Sequence, residues 1–274
     1  MEVKKLYSFT NNRQLWRILL SESNKLVVED RDTEKREAFF SCLEASTGSE
    51  IFRNFQLEEK FWVGIEAIYK DIIYFHKFAK PDMPGHKEII AFDIAQEKIL
   101  WHSDSLSFLF VHDDRVFAFK QKFEGWEFFS LDFRTGEEIE ELGGDARRVN
   151  AIRDSIDEME KYRGYLFPET FQEDKIEDIE IKQIIKQIIE GRDVAGNVEY
   201  IKYGGLLMFT FHARVFDHSL VNRFLCAEAA TGKIVFEDVL NANANAFVPD
   251  SFFMKDNLVF LLKEKKELVV CSVE

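Results

Sequence analysis

The sequence predicts an all-β fold: a five-bladed β-propeller whose N-terminal strand closes the last blade, with a two-helix insertion between blades 3 and 4. Three observations carry that prediction. An acid-turn-strand unit recurs along the chain, best seen in Ser130-Leu131-Asp132-Phe133-Arg134-Thr135-Gly136-Glu137-Glu138-Ile139. Five apolar strands, each preceded by a short turn, recur at intervals close to one four-stranded blade. The composition suits strands, with 28 Phe among 274 residues but four Pro and 13 Gly, because aromatic side chains fit a pleated surface.

The acid-turn unit appears in three further places. Cys42-Leu43-Glu44-Ala45-Ser46-Thr47-Gly48 and Cys226-Ala227-Glu228-Ala229-Ala230-Thr231-Gly232 keep the Thr-Gly ending, whereas Ala91-Phe92-Asp93-Ile94-Ala95-Gln96-Glu97 replaces it with Gln-Glu. The acid can accept turn N–H groups, and the glycine supplies the left-handed backbone that a bulged hairpin needs. The Gln96-Glu97 copy must build its turn in another way.

The second series places apolar strands at Leu26, Ile72, Val116, Leu206 and Leu258, separated by 46, 44, 90 and 52 residues. Three intervals match one blade of roughly 40–50 residues, and the long one holds about one blade of extra sequence. In the second repeat the four strands fall at about Val63–Ile68, Ile72–Phe78, Lys87–Asp93 and Lys98–Trp101. In the third they fall at about Leu106–Val111, Val116–Lys122, Trp126–Asp132 and Glu137–Leu142. The fifth repeat runs out at Glu267–Ser272, and Glu2–Phe9 supplies the missing strand, which removes an exposed sheet edge. A single propeller domain over residues 1–274 is expected.

The acid-x-x-Thr-Gly-x-x-x-aromatic pattern resembles the blade repeat of quinoprotein-type (PQQ-like) β-propellers, in degenerate form over about four-fifths of the chain. The resemblance implies a fold and little about activity, because the repeat marks blade geometry. No Cys-Cys pair or matching metal cluster is present, so no cofactor-binding residue carries over and no cofactor or metal is expected.

Residues 143–195 interrupt the repeat. Val149, Ile152, Ile156 and Met159 form an apolar stripe on a helix expected at Ala146–Tyr162. Ile176, Ile179, Ile184, Ile185, Ile188 and Ile189 form a second at Glu173–Glu190, ended by Gly191. Such stripes dock on the propeller or on each other, or shape a partner surface. A degraded sixth blade fits less well, since strands do not carry Ile at helical spacing.

Composition narrows the partners. The net charge is −14, from 50 acids against 36 bases, and no run of four to eight bases occurs. This argues against nucleic acid and a charged membrane surface as partners. No signal-like apolar region and no stretch of 18 apolar residues is present, so a cytoplasmic protein is expected. Cys42, Cys226 and Cys271 each lie in an apolar run without C-x-x-C spacing, and read as small buried hydrophobes in a reducing compartment.

Strand alternation puts the Thr-Gly turns and His112-Asp113-Asp114 at one end of the blades. The other end collects Asn11 to Arg13, Pro81 to His86, His102 to Asp104, the insertion, Arg214 to His218, and Asn241 to Asn245. That end supplies the candidate binding residues Arg13, His86, His102, Asp104, Arg214, Asp217, His218, Asn243 and Asn245. His102-x-Asp104 and Asp217-His218 could place imidazole beside carboxylate as metal ligands or an acid–base pair, but they read first as solvated loop residues, since two such pairs need no special cause. His76 and His212 read as packed or exposed strand residues, and His112-Asp113-Asp114 as a hairpin turn. There is no G-x-S-x-G elbow, P-loop, G-x-G-x-x-G, H-E-x-x-H, EF-hand or zinc-ribbon spacing. The sequence therefore favours a non-catalytic scaffold that binds a protein or peptide. The alternative is a small-molecule-binding protein or hydrolase using a central pocket lined by His102, Asp104, Arg214 and His218.

Overall fold

The computed structural model describes residues 2–80, 83–123, 125–156, 162–173, 178–215 and 219–274. The chain divides into two compact units, Arg13–Tyr162 and a terminal unit made of Met1–Asn12 with Arg163–Glu274. The first strand, β1 (Val3–Thr10), belongs to the terminal unit.

The 13–162 unit is built from three antiparallel meanders. The first is β2 (Gln14–Leu20), β3 (Lys25–Asp32), β4 (Glu37–Glu44) and β5 (Glu50–Phe55). The second is β6 (Val63–Tyr69), β7 (Ile72–Lys80), β8 (Met83–Asp93) and β9 (Lys98–Ser103); the third is β10 (Ser107–His112), β11 (Arg115–Lys122), β12 (Gly125–Asp132) and β13 (Glu138–Gly143). One parallel bridge, Ser107 to Glu88, joins the second and third. These bounds follow the sequence-based ones to within a few residues.

Period-two alternation explains how the meanders pack. On β7 and β8, Ile73, Phe75, Ile90 and Phe92 point to one face and meet Val27, Phe40 and Cys42 of the first meander. Ile72, Tyr74, Ile89 and Ala91 point the other way and meet Val116, Ala118 and Leu131 of the third. A strand buried on both faces must be apolar at nearly every position, which is how β7 and β8 read.

The terminal unit continues with β14 (Tyr165–Leu166), β15 (Glu169–Thr170) and a fourth meander of β16 (Val194–Tyr203), β17 (Leu206–Arg214), β18 (Leu220–Glu228) and β19 (Ile234–Ala244). The last meander, β20 (Phe252–Lys255), β21 (Leu258–Lys263) and β22 (Glu267–Val273), is completed by β1, antiparallel to β22. Glu2 N donates to Glu274 O at 2.9 Å and Glu274 N to Glu2 O at 3.0 Å. The N-terminal strand thus takes the place expected of it.

The insertion departs from its sequence-based outline. Helix α1 covers Ala146–Asp154 and α2 covers Ile179–Ile189; Met159 and Ile176, and the expected helical segments around them, lie outside the described residues. Between the helices β14 pairs with β20 and β15 with β16, short ladders that no periodicity announced. Val149 of α1 packs on Phe117, Phe128 and Leu142, the face of β11 opposite Val116 and Ala118. Ile181, Ile184 and Ile185 of α2 pack on Leu207, Phe209, Phe211 and Leu225, the face opposite Leu206, Met208 and Phe224. Among the described residues, α1 packs on one face of the third meander and α2 on the face of the fourth meander turned away from the last one.

The acid-turn units share one construction. Gly48, Gly136 and Gly232 adopt φ of 72°, 73° and 70°. Their N–H groups return to the carbonyls of Glu44, Asp132 and Glu228 at 2.8, 2.9 and 2.9 Å. In the Gln96-Glu97 copy, Glu97 itself takes the left-handed backbone, at φ 51°. The three cysteines are fully buried and unbonded to one another. Burial pushes the Cys42 and Cys226 thiols up to about 12 and that of Cys271 to about 11, as expected of small core residues.

Candidate functional site

Strands β6, β7 and β8 bring together Glu66, His76 and His86, one from each. The Nδ1 of His86 lies 2.7 Å from Glu66 Oε1, and the Nδ1 of His76 lies 3.1 Å from the same oxygen. The two imidazoles stack with centroids 3.6 Å apart and planes 8° apart. One nitrogen of each ring and a Glu66 oxygen all fall within 4.8 Å of one another.

Local irregularities in the ladders aim these side chains. Glu66 sits at a register shift between Ile65 and Ala67 on β6, and His76 at another between Phe75 and Lys77 on β7. Nearby, Glu88 on β8 has φ 61°. Bulges of this kind redirect side chains out of strict alternation. His76 pairs with Gly64, where an added Cβ would come within 2.9 Å of the His76 ring, so the ring occupies space that only glycine leaves.

The electrostatics are those of a half-sheltered polar cluster. His76 is 3% exposed; its Nδ1 faces Glu66 Oε1, and its Nε2 makes no hydrogen bond among the described residues. Burial by itself would raise the Glu66 carboxyl; the adjoining His76 and His86 imidazoles outweigh it and hold the group below its ordinary value. Beside it in the same meander, Glu88 is poised alike: burial raises it, while Lys77 at 2.8 Å and His102 at 3.1 Å bring it below the ordinary value.

An aromatic and arginine surface runs from this cluster. Phe78 meets both His76 and His86 edge-on, at 4.9 and 5.3 Å, and Trp62 meets Phe78 at 6.2 Å. Phe61 lies 5.1 Å from Trp62. Arg36 stands over Trp62 and Phe61 at 5.5 and 5.9 Å, and Arg31 over Phe61 and Trp16 at 5.4 and 4.9 Å. Arg31 is fixed from below by Glu29 Oε1 at 2.7 Å and by the carbonyls of Phe61 and Val63. Trp16 is 56% exposed.

The residues proposed from sequence scatter among several environments. His86 joins the cluster and His102 pairs with Glu88. Arg13 is an internal tie: it bonds the buried Asp30 and the exposed Asn54 and lies over Phe39. Asp104 is exposed in the 13–162 unit, whereas Arg214 pairs with Asp193 at 2.8 Å in the terminal unit. Asn243 and Asn245 are exposed. Asp217 and His218 lie outside the described residues. His212 is a packed strand residue whose Nε2 accepts from Val248 N at 3.0 Å; burial lowers its ring below the ordinary value. His112-Asp113-Asp114 is a hairpin turn, with φ of 47° and 59° at the two acids. Sequence reasoning missed Glu66 and left His76 as a packing residue; Gly64 opposite His76 was the available signal, because glycine inside a strand marks a close approach.

Residues 20–101 match the family described as "Domain of unknown function (DUF4905)", a span that contains the whole cluster. No curated protein matches the chain. Among solved structures it is similar to a bifunctional GH43-CE protein of Bacteroides eggerthii, with 9% identity and a TM-score of 0.28 over 100% of this chain and 34% of that one. It is also similar to the Dos1 propeller, with 8% identity and a TM-score of 0.30 over 94% of this chain and 54% of that one. The chain thus spans about a third and about half of those two chains. No helix among the described residues is long and apolar enough to cross a membrane.

Proposed function

We propose that the protein is a five-bladed β-propeller scaffold of the quinoprotein-repeat type that binds a protein or peptide segment without catalysing a reaction. Five antiparallel meanders, with β1 completing the last, support the blade reading. The observation that carries the binding reading is the surface formed by Trp16, Phe61, Trp62, Arg36 and Phe78 over the buried Arg31.

Tryptophan and arginine are enriched at binding hot spots, and a side chain already ordered in the free protein loses less freedom on binding. Here the guanidinium groups are already stacked on the rings, and Arg31 is held by a buried carboxylate. Such a surface loses little side-chain freedom when a partner docks. In the terminal unit, the inner positions of α2 are buried against β17 and β18, although Ile179 remains 67% exposed.

Selection from a displayed peptide library tests the reading. Peptides enriched on the wild-type protein should lose at least about tenfold in affinity for Trp16→Ala and Arg36→Ala, the loss expected when a hot-spot side chain is truncated. Selected peptides that bind both variants as tightly as wild type would overturn it.

A further inference from the structure

The geometry of Glu66, His76 and His86 points to a metal site, and we propose that the cluster binds one divalent cation of the zinc class. One nitrogen of each imidazole and a Glu66 oxygen would be the ligands. This proposal rests on the cluster alone and is independent of the partner surface.

Four observations bear on it. The first is the donor set: two imidazoles and a carboxylate suit zinc and its borderline neighbours, and three protein ligands leave one position for water or another small ligand. The second is convergence. Donors within 4.8 Å of one another need only small side-chain rotations to reach the spacing of about 3.3 Å set by metal bonds of about 2.0–2.1 Å in a tetrahedral site.

The third is the state of His76. It is 3% exposed; its Nδ1 has the 3.1 Å approach to Glu66 Oε1, and its Nε2 makes no hydrogen bond among the described residues. A buried polar atom without a partner is costly unless something else satisfies it, and a cation held between His76, His86 and Glu66 would do so.

The fourth is accommodation. Gly64 leaves space for the His76 ring, and two register shifts bring Glu66 and His76 out of strict alternation toward His86. Phe78 stands edge-on to both rings and limits their rotation. The His86 side chain, 37% exposed, gives an ion access from solvent.

Titration of the metal-free full-length chain with zinc chloride, followed by calorimetry and by melting temperature, tests the site. The expected result is uptake of one equivalent by wild type with a rise in melting temperature, since a ligand bound to the folded state stabilises it. Glu66→Gln and His86→Ala should lose that equivalent. His102→Ala and His112→Ala should keep it. Cobalt(II) added to wild type should develop visible d–d absorption that Glu66→Gln lacks. Circular dichroism of the zinc-free variants matching wild type would assign the loss to missing ligands. Wild type taking up no stoichiometric zinc, or retention of the site by both Glu66→Gln and His86→Ala, would overturn the proposal.

Discussion

The indole of Trp101 stands so close to Gly136 that a Cβ added there would come within 2.5 Å of the ring. The same indole donates to the carbonyl of Phe133 at 3.2 Å, and Tyr74 donates to that carbonyl at 2.8 Å. Arg134 reaches back to Asp93 at 3.1 Å. The acid-turn of the third meander is therefore seated on the second, and its repetition along the chain is a building device.

Gly136→Ala should consequently be costly on two counts. The φ of 73° imposes about 1–2 kcal/mol on any residue with a Cβ, and the contact with Trp101 adds overpacking of about 1–3 kcal/mol. Gly143→Ala is the control: its φ is 58° but nothing lies within 4 Å of the added carbon. Thermal melts should show Gly136→Ala several degrees below Gly143→Ala. Equal melting temperatures would mean that the turn is not seated as described.

Asp132 should matter for stability before function. Its Oδ1 accepts from Arg134 N at 2.9 Å and Thr135 N at 2.7 Å. The Thr135 N–H is the main cause that holds the carboxyl below its ordinary value. A depressed folded-state value gives stability that is present above the unfolded value of about 3.9 and lost as pH falls through the folded one. Asp132→Asn should melt lower than wild type at neutral pH, by about 1 kcal/mol or less after allowance for solvent screening. The two curves should converge as pH falls below about 4. A variant unchanged in melting but deficient in peptide binding would assign Asp132 to function instead.

The antiparallel meanders were legible in the sequence because two independent signals repeat together: period-two apolar strands and turns with fixed chemistry. The site was not. Glu66, His76 and His86 stand ten residues apart, and only the antiparallel return of β6, β7 and β8 makes neighbours of them. The shifts at Glu66 and His76 then decide which way each side chain faces, and a one-residue shift reverses a face. Arg13 and His102 were visible as polar residues near strand ends, but their partners Asp30 and Glu88 lie within strands and carry no local mark. The strands β14 and β15 were missed because two-residue ladders have no period to detect.

Glu199 offers a pH test of opposite sign. It lies on β16, where burial raises its carboxyl above the ordinary value, although Asp250 N donates to its Oε2 at 3.2 Å. For an acid raised in this way, the contribution to stability is complete below the unfolded value of about 4.3 and is lost as pH rises through the folded value. Glu199→Gln should therefore melt at or above wild type at pH 7–8 and gain nothing near pH 4. A variant less stable than wild type at neutral pH would show that the bond from Asp250 outweighs the burial.

The division of labour on α2 gives a last contrast. Ile185 is fully buried among Leu207, Phe209, Phe211 and Leu225, whereas Ile179 is 67% exposed at the start of the same helix. Ile185→Ala removes three carbons from a packed site and should cost about 2–5 kcal/mol. Ile179→Ala should stay within about 0.5 kcal/mol. Because α2 is the cover for this face of the fourth meander, loosening it should expose β17 and β18 amides before the rest of the terminal unit. Hydrogen exchange would show that as selective loss of protection at Leu207–Phe211 in Ile185→Ala. A stability loss of similar size for the two variants would mean that α2 docks through its outer face, and would return the helix to the list of partner surfaces.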